Sequence, residues 1–368
     1  MRRLGGALLP PLAAFLLARV FLSLISASTW RPPWEPGSWS GPDTAHYLGI
    51  AKYGQTLVPC SAEDPPPGHC GNTGWMPGYA WALRPLLAAG LSPRLASVVV
   101  SAAFVWMSLT ALWIGFLSSW KKGGYLALFV AAFFPGQVYH HGAFPLAQFA
   151  LFALLCLLAA LRDRWWLAGL AGFAAALTYS TGWLLAPVLL AWGLADTRVR
   201  LAERLAGAVP AAALTLGGFS SVLLLHWWQF GVWNAFFRVQ GGYGHGLGNP
   251  FLTWWIAVRE VFMPPWRGIQ EATHMQTLFV GVWATSLLVR ALRKRNHEAL
   301  LPALYVLAFW LFPLAMGPGV SLYRAEATLL PGVLLMAGLP RPAIALVLAA
   351  AVLVAWPMAV LYFNLLLV

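Results

Sequence analysis

The sequence predicts an all-α integral membrane protein, a polytopic bundle of about eleven transmembrane helices with two large loops on one side. Three observations predict it. Hydrophobic residues make up 60% of the 368, charged residues only 9%, and the mean hydropathy is +0.71. Apolar runs recur along the whole chain, and a lipid-crossing helix needs roughly 20 such residues. The basic residues fall in short breaks between these runs: Arg2/Arg3, Lys121/Lys122, Arg162/Arg164, Arg198/Arg200/Arg204, Arg290/Arg293/Lys294/Arg295 and Arg341. Placing alternate breaks in the cytoplasm gathers all of them on one side, as the positive-inside rule requires. The net charge of +12 is therefore a topology signal, and nucleic acid is not an expected partner.

The first run, LGGALLPPLAAFLLARVFLSLISAS, gives span 5–27. It exceeds the roughly 7–15 residues of a signal h-region and lacks a convincing cleavage site, so it is read as a retained helix. An outer loop, 28–94, follows, rich in Pro, Trp and Gly. Its stretch SGPDTAHYLGIAKYGQ holds Asp43, one of only eleven acidic residues. Asp43 fits two roles here, an N-cap for the short helix after Pro42 or the reactive group of a site at the membrane surface. Cys60 and Cys70 share this loop, where an oxidising compartment permits a disulfide. A zinc site with His69 lacks a clear fourth ligand. Residues 75–94 are apolar but broken by Pro77, Arg84 and Pro85, and crossing here would reverse every later basic cluster. They are read as an interfacial helix with Trp75, Tyr79 and Trp81 at headgroup depth.

Further spans are expected at 95–119, 124–141, 146–161, 165–180, 183–195 and 206–227, with Cys156 a small apolar filler. A second outer loop, 228–275, carries GGYGHGLGNP and FMPPW. Spans at 276–292, 299–316, 326–340 and 343–367 complete eleven crossings, with an outward C-terminus and a single domain over 1–368. Loops above about 12–15 residues tend to be functional or disordered, and the aromatic density of these two argues against disorder. Asp163, Asp196, Glu203 and Glu298 lie among cytoplasmic arginines, whereas Glu35, Asp43, Glu63, Asp64, Glu260, Glu271 and Glu326 face outward. Every histidine except His297 also falls at or beyond the outer interface. The asymmetry points to an outward cavity.

The order of features resembles the GT-C superfamily of lipid-linked-sugar glycosyltransferases, most closely its PIG-V-like mannosyltransferase branch. The stretch DTAHYLGIAKYG is similar to the branch's D-x-x-x-Y-L-x-I-A-x-x-G, with Asp43, Tyr47, Leu48, Ile50, Ala51 and Gly54 matching. MPGYAWALRPLL resembles the proline-containing helix that follows it, and QFGVWNAFFRVQ the second outer loop. SLYRAEATLLP resembles the late S-x-x-R-Y segment through Ser321 and Arg324. Colinearity extends over nearly the whole chain. Three positions depart: Pro42 replaces a tryptophan, Ala143-Phe144-Pro145 replaces Y-S-E, and Tyr179 replaces the arginine before S-T-G.

The resemblance implies a membrane mannosyltransferase that moves a sugar, with inversion, from a polyprenyl-phosphate donor to a glycan or glycolipid acceptor hydroxyl. It would act on the extracytoplasmic face of a bacterial membrane or the lumenal face of the endoplasmic reticulum. Asp43 would be the general base and Arg324 the donor-phosphate ligand. For Arg324, pairing with Glu326 or snorkelling to the interface are the alternatives. His46 lies on the face of Asp43 and, with Tyr47, could line the cavity. His140 and His141 could bind a metal, line the cavity or serve as interface residues. Gln240, Tyr243 and His245 could close over the donor. No metal ligands are assigned, and a divalent metal is left open. A non-catalytic partner subunit of the same fold, or a transporter of lipid-linked sugars, are the other readings. A transporter would bury ionisable residues within its spans, and beyond Arg19 these are almost absent.

Overall fold

The computed structural model of the protein describes residues 2–60, 69–120, 123–195, 200–243, 246–264, 268–294, 297–317 and 321–367. The chain opens with α1, Arg2–Ser28, which continues through Pro10 and Pro11. The first long loop then folds tightly. A turn of 3-10 helix at Pro36–Trp39 leads to α2, Thr44–Tyr53, which stops at Gly54 with φ +89°. Strands β1, Leu57–Pro59, and β2, His69–Gly71, pair antiparallel with Val58 opposite Cys70, and Cys60 is bonded to Cys70. Helix α3, Pro77–Ala88, starts on proline, whose missing N–H is no loss in a first turn. Arg84 of α3 donates to the carbonyls of Ala51 and Ile50, a cation at the negative end of α2. The two helices are thereby locked together.

Residues 75–94 are thus helical as expected, but their aromatics do not all face the interface. Tyr79 is fully buried, its hydroxyl on Ser101 Oγ at 2.8 Å and Ser97 O at 3.2 Å, and Trp75 is buried as well. Only Trp81 keeps substantial exposure. A buried tyrosine needs a partner for its hydroxyl, and the serines of the next helix supply it.

That helix is α4, Pro93–Gly115, capped by Ser92. There follow α5, Gly124–Ala132; α6, Gln137–His141; α7, Leu146–Leu161; α8, Trp165–Thr178; α9, Leu185–Ala195; and α10, Leu201–Phe230. Helices α8 and α10 approach closely because a Cβ at Gly172 would overlap Thr215, and one at Gly218 would overlap the carbonyl of Phe173. Small residues at such crossings are how apolar helices gain contact in lipid. The second long loop holds α11, Ala235–Gly241, and α12, Pro250–Arg259. The chain ends with α13, Ala272–Lys294; α14, His297–Ala315; α15, Leu322–Ala327; and α16, Arg341–Phe363.

Among the described residues six helices are long and apolar enough to cross a membrane, and three more are apolar but shorter, so the eleven expected crossings are not reproduced. Two expected spans are broken. Segment 124–141 divides between α5 and α6 at Phe133–Gly136, where Pro135 and Gly136 (φ +79°) interrupt the helix. Segment 326–340 is not one helix: α15 ends at Ala327 and a 3-10 stretch, Leu330–Met336, follows. Pro331 at its start cannot continue an α-helical ladder.

The core has two characters. Between the long helices it is mainly aliphatic, with Leu, Val and Ala of α4, α5, α7, α9 and α14 around a few aromatics such as Trp192 and Phe149. Under the first long loop it turns aromatic, gathering Trp39, Tyr47, Tyr79, Tyr139, Phe144 and Tyr362. The chemistry sits on this aromatic end.

Candidate active site

Asp43 occupies the N-cap position of α2, yet its side chain makes no capping hydrogen bond. Its carboxylate instead takes a hydrogen bond from Nη1 of Arg324, 281 residues away, and the two form an ion pair. Each side chain keeps about a fifth of its surface exposed (19% for Asp43, 21% for Arg324), so the pair is enclosed but open at one side. Arg324 does not pair with Glu326, because residues two apart on a helix point to nearly opposite faces.

Both partners are held from behind. Trp39 O accepts hydrogen bonds from the Ala143 N–H and the Tyr362 hydroxyl, each at 2.9 Å. Thr44 Oγ1 donates to Ala143 O at 3.2 Å, and the Arg19 guanidinium lies 3.3 Å from the centre of the Trp39 ring. These contacts fasten the start of α2 to the segment before α7. Helix α15 is fixed by α6 and α13. Gly136 lets α6 come this close, since a Cβ there would stand 2.7 Å from Ala327 Cβ. His140 Nε2 then meets Ala327 O at 3.1 Å, and Gln276 Nε2 donates to Tyr323 O at 2.8 Å. Ser321 Oγ accepts from Arg324 Nη2 at 2.7 Å, which fixes the plane of the guanidinium. Burial opposes the charge on Arg324, but Asp43 together with the hydroxyls of Tyr139, Tyr323 and Tyr179 outweighs it and holds the guanidinium above its ordinary value.

Around the pair the wall is aromatic. Phe144 lies 6.0 Å from the Arg324 guanidinium, and its ring meets Tyr47 at 5.7 Å and Tyr179 at 6.4 Å. Two of the three departures from the family pattern, Phe144 and Tyr179, therefore stand side by side against the pair. Tyr47 is buried beneath it.

His46 is stacked face to face on Trp75, ring centres 3.5 Å apart and planes 12° from parallel. Burial lowers its pKa, with Asp43 acting in the opposite sense. Tyr243 of the second long loop meets the edge of Trp75 at 6.0 Å, and Gln240 Nε2 donates to Gly74 O at 2.8 Å. Trp75 is thus where the two long loops join, next to Asp43 in space through His46. Tyr243 is half exposed; burial raises its pKa first, Asp43 raises it further and Arg324 lowers it, which puts its hydroxyl within the field of the pair.

The other expected residues divide. His140 and His141 are buried and separately engaged: His141 stacks on Phe15 at 5.8 Å, and its carbonyl accepts from Arg19. His245 lies outside the described residues. Among the described residues no three His, Cys, Asp or Glu side chains gather as a metal site would require, and no step below is routed through one. Glu326, expected to face outward, is buried, with Oε2 accepting from Gln276 Nε2 at 2.9 Å. Trp75 and Phe144 gained their places beside the pair only in three dimensions. Ser321 alone had a signal, its spacing of three from Arg324.

No family model matches the sequence, and no curated protein matches it. Solved structures do. The oligosaccharyltransferase of Archaeoglobus fulgidus in its apo form superposes with a TM-score of 0.54 at 14% identity, over 96% of this chain and 56% of that one. The same enzyme tethered to an acceptor peptide containing the NVT sequon gives 0.50 at 13% identity, over 95% and 55%. The chain thus spans little more than half the length of the enzyme it resembles. At this identity the likeness establishes the fold alone, an all-α architecture shared with that enzyme.

Proposed function

We propose that the protein is an integral membrane glycosyltransferase that moves a sugar, mannose in our reading, from a polyprenyl-phosphate donor to an acceptor hydroxyl of a glycan or glycolipid. The reaction would take place on the extracytoplasmic or lumenal face. One observation carries this reading: Asp43 leaves its helix uncapped to meet Arg324 at a largely enclosed, aromatic-walled site. A general base and a phosphate ligand are what sugar transfer from a lipid phosphate needs. Asp43 takes the proton of the acceptor hydroxyl as its oxygen attacks the anomeric carbon from the face opposite the phosphate. The bond from that carbon to the phosphate oxygen breaks, its electron pair stays on the phosphate, and the configuration inverts. Arg324 stabilises the charge that develops there, through a planar, multi-donor group suited to phosphate. The fold is that of an oligosaccharyltransferase, which supports the reaction class.

The test is transfer by the purified protein in lipid nanodiscs. Radiolabelled mannosyl decaprenyl phosphate is supplied with a membrane glycolipid fraction as acceptor. The expected result is label in the acceptor with release of decaprenyl phosphate in equal amount. Donor that stays intact, or that only changes leaflet, would overturn the assignment.

A further inference from the structure

We propose that Asp43 and the donor phosphate compete for Arg324, so that their ion pair is a latch keeping the site idle until the donor arrives. The inference rests on the reading above and concerns the order of events within it. Arg324 Nη1 is engaged by Asp43 and Nη2 by Ser321. Phe144 lies beside the same guanidinium, and four-fifths of its side-chain surface is covered. Little of it is left to grip a phosphate while Asp43 stays in place. The same contact neutralises the carboxylate that must take the acceptor's proton. One ion pair therefore silences base and phosphate ligand together, and one event, a phosphate drawing the guanidinium away, frees both.

The latch can open. Asp43 makes no cap bond that would tether its side chain, and Ser321 can keep hold of Arg324 as it turns. Donor would bind first and acceptor second, and an acceptor arriving alone would meet a carboxylate already engaged. The released polyprenyl phosphate, a monoester carrying more charge than the donor diester, would hold Arg324 most tightly. Product would then compete strongly with fresh donor.

The test is equilibrium binding of decaprenyl phosphate to the full-length protein in nanodiscs. In Asp43→Asn the competing charge is gone, and affinity should rise about fivefold or more, the usual scale of coupled sites. The gain should vanish when Arg324→Gln is added, because it acts through Arg324; simple repulsion by Asp43 would persist in the double variant. Equal affinity in wild type and Asp43→Asn, or a gain that survives Arg324→Gln, would overturn the latch and leave the transfer reaction standing. No binding to any of the proteins would instead overturn the donor assignment. If the Asn variant does not fold, Asp43→Ser, which retains a capping side chain, reads the same comparison.

Discussion

Asp43 and Glu326 are two carboxylic acids in contrasting settings around α15. Glu326 is two residues from Arg324 in sequence, yet it is buried and bonded to the amide of Gln276. Burial pushes its carboxyl up to about 8, against the pull of hydrogen bonds from Gln276 and Thr277. Asp43 is remote in sequence, meets the arginine, and keeps a fifth of its surface open. The sealed acid ties α15 to α13 and belongs to the scaffold; the open one faces a cation. Burial without a charged partner favours a neutral, structural acid, whereas Asp43 lies against a cation.

The largest effect that separates the two sides is expected at Trp75, which carries His46 on its face and Tyr243 on its edge. Trp75→Ala should lower stability by about 3–5 kcal/mol, the range for buried aromatic truncations. Thermal unfolding in detergent, with protease accessibility of 228–275 as a second readout, checks it; an unchanged melting temperature would mean that the loops are joined elsewhere. Arg324→Ala should reduce kcat/KM for the donor by about 1.5–3 kcal/mol, the worth of a hydrogen bond to a charged group. Acceptor KM should stay within about twofold, and a larger change there would move the arginine away from the donor. Ser321→Ala removes only the brace on the guanidinium, and about 0.5–1.5 kcal/mol in donor kcat/KM is expected.

On the sealed side the effect is one of pH. The folded pKa of Glu326 lies above its unfolded value, so the stability of the neutral form is full below about pH 4.5 and lost as pH rises through about 8. Glu326→Gln does not titrate. Wild type should therefore lose melting temperature relative to this variant between about pH 5 and 8. A parallel pair of curves would show Glu326 ionised in the folded protein.

Much of this contrast was legible in the sequence, though unevenly. Apolar runs placed the long helices, because lipid demands length and hydrophobicity and both are written locally. Asp43 and Arg324 stood out as charges beside spans that have almost none. Their meeting was not legible, since it depends on how α2 and α15 are fastened by Trp39, Ala143, Gln276 and His140. Breaks inside expected spans were missed for a related reason. Pro135-Gly136 and Pro331 lie in apolar surroundings, and hydropathy does not register a change in backbone direction. Trp75 read as an interface residue because an aromatic's neighbours, not its own chemistry, decide whether it faces lipid or its own protein.

The measurement that bears most directly on the central claim is sugar transfer by Asp43→Asn and Glu326→Gln, compared side by side with wild type. Both changes remove one carboxyl and keep the size. With Asp43 as the base, its Asn variant should fold, bind the lipid phosphate and lose about 10²–10⁴-fold in kcat, while the Gln variant stays near wild type. Near-normal turnover by a well-folded Asp43→Asn, or a comparable loss in Glu326→Gln, would contradict the account and place the catalytic base elsewhere.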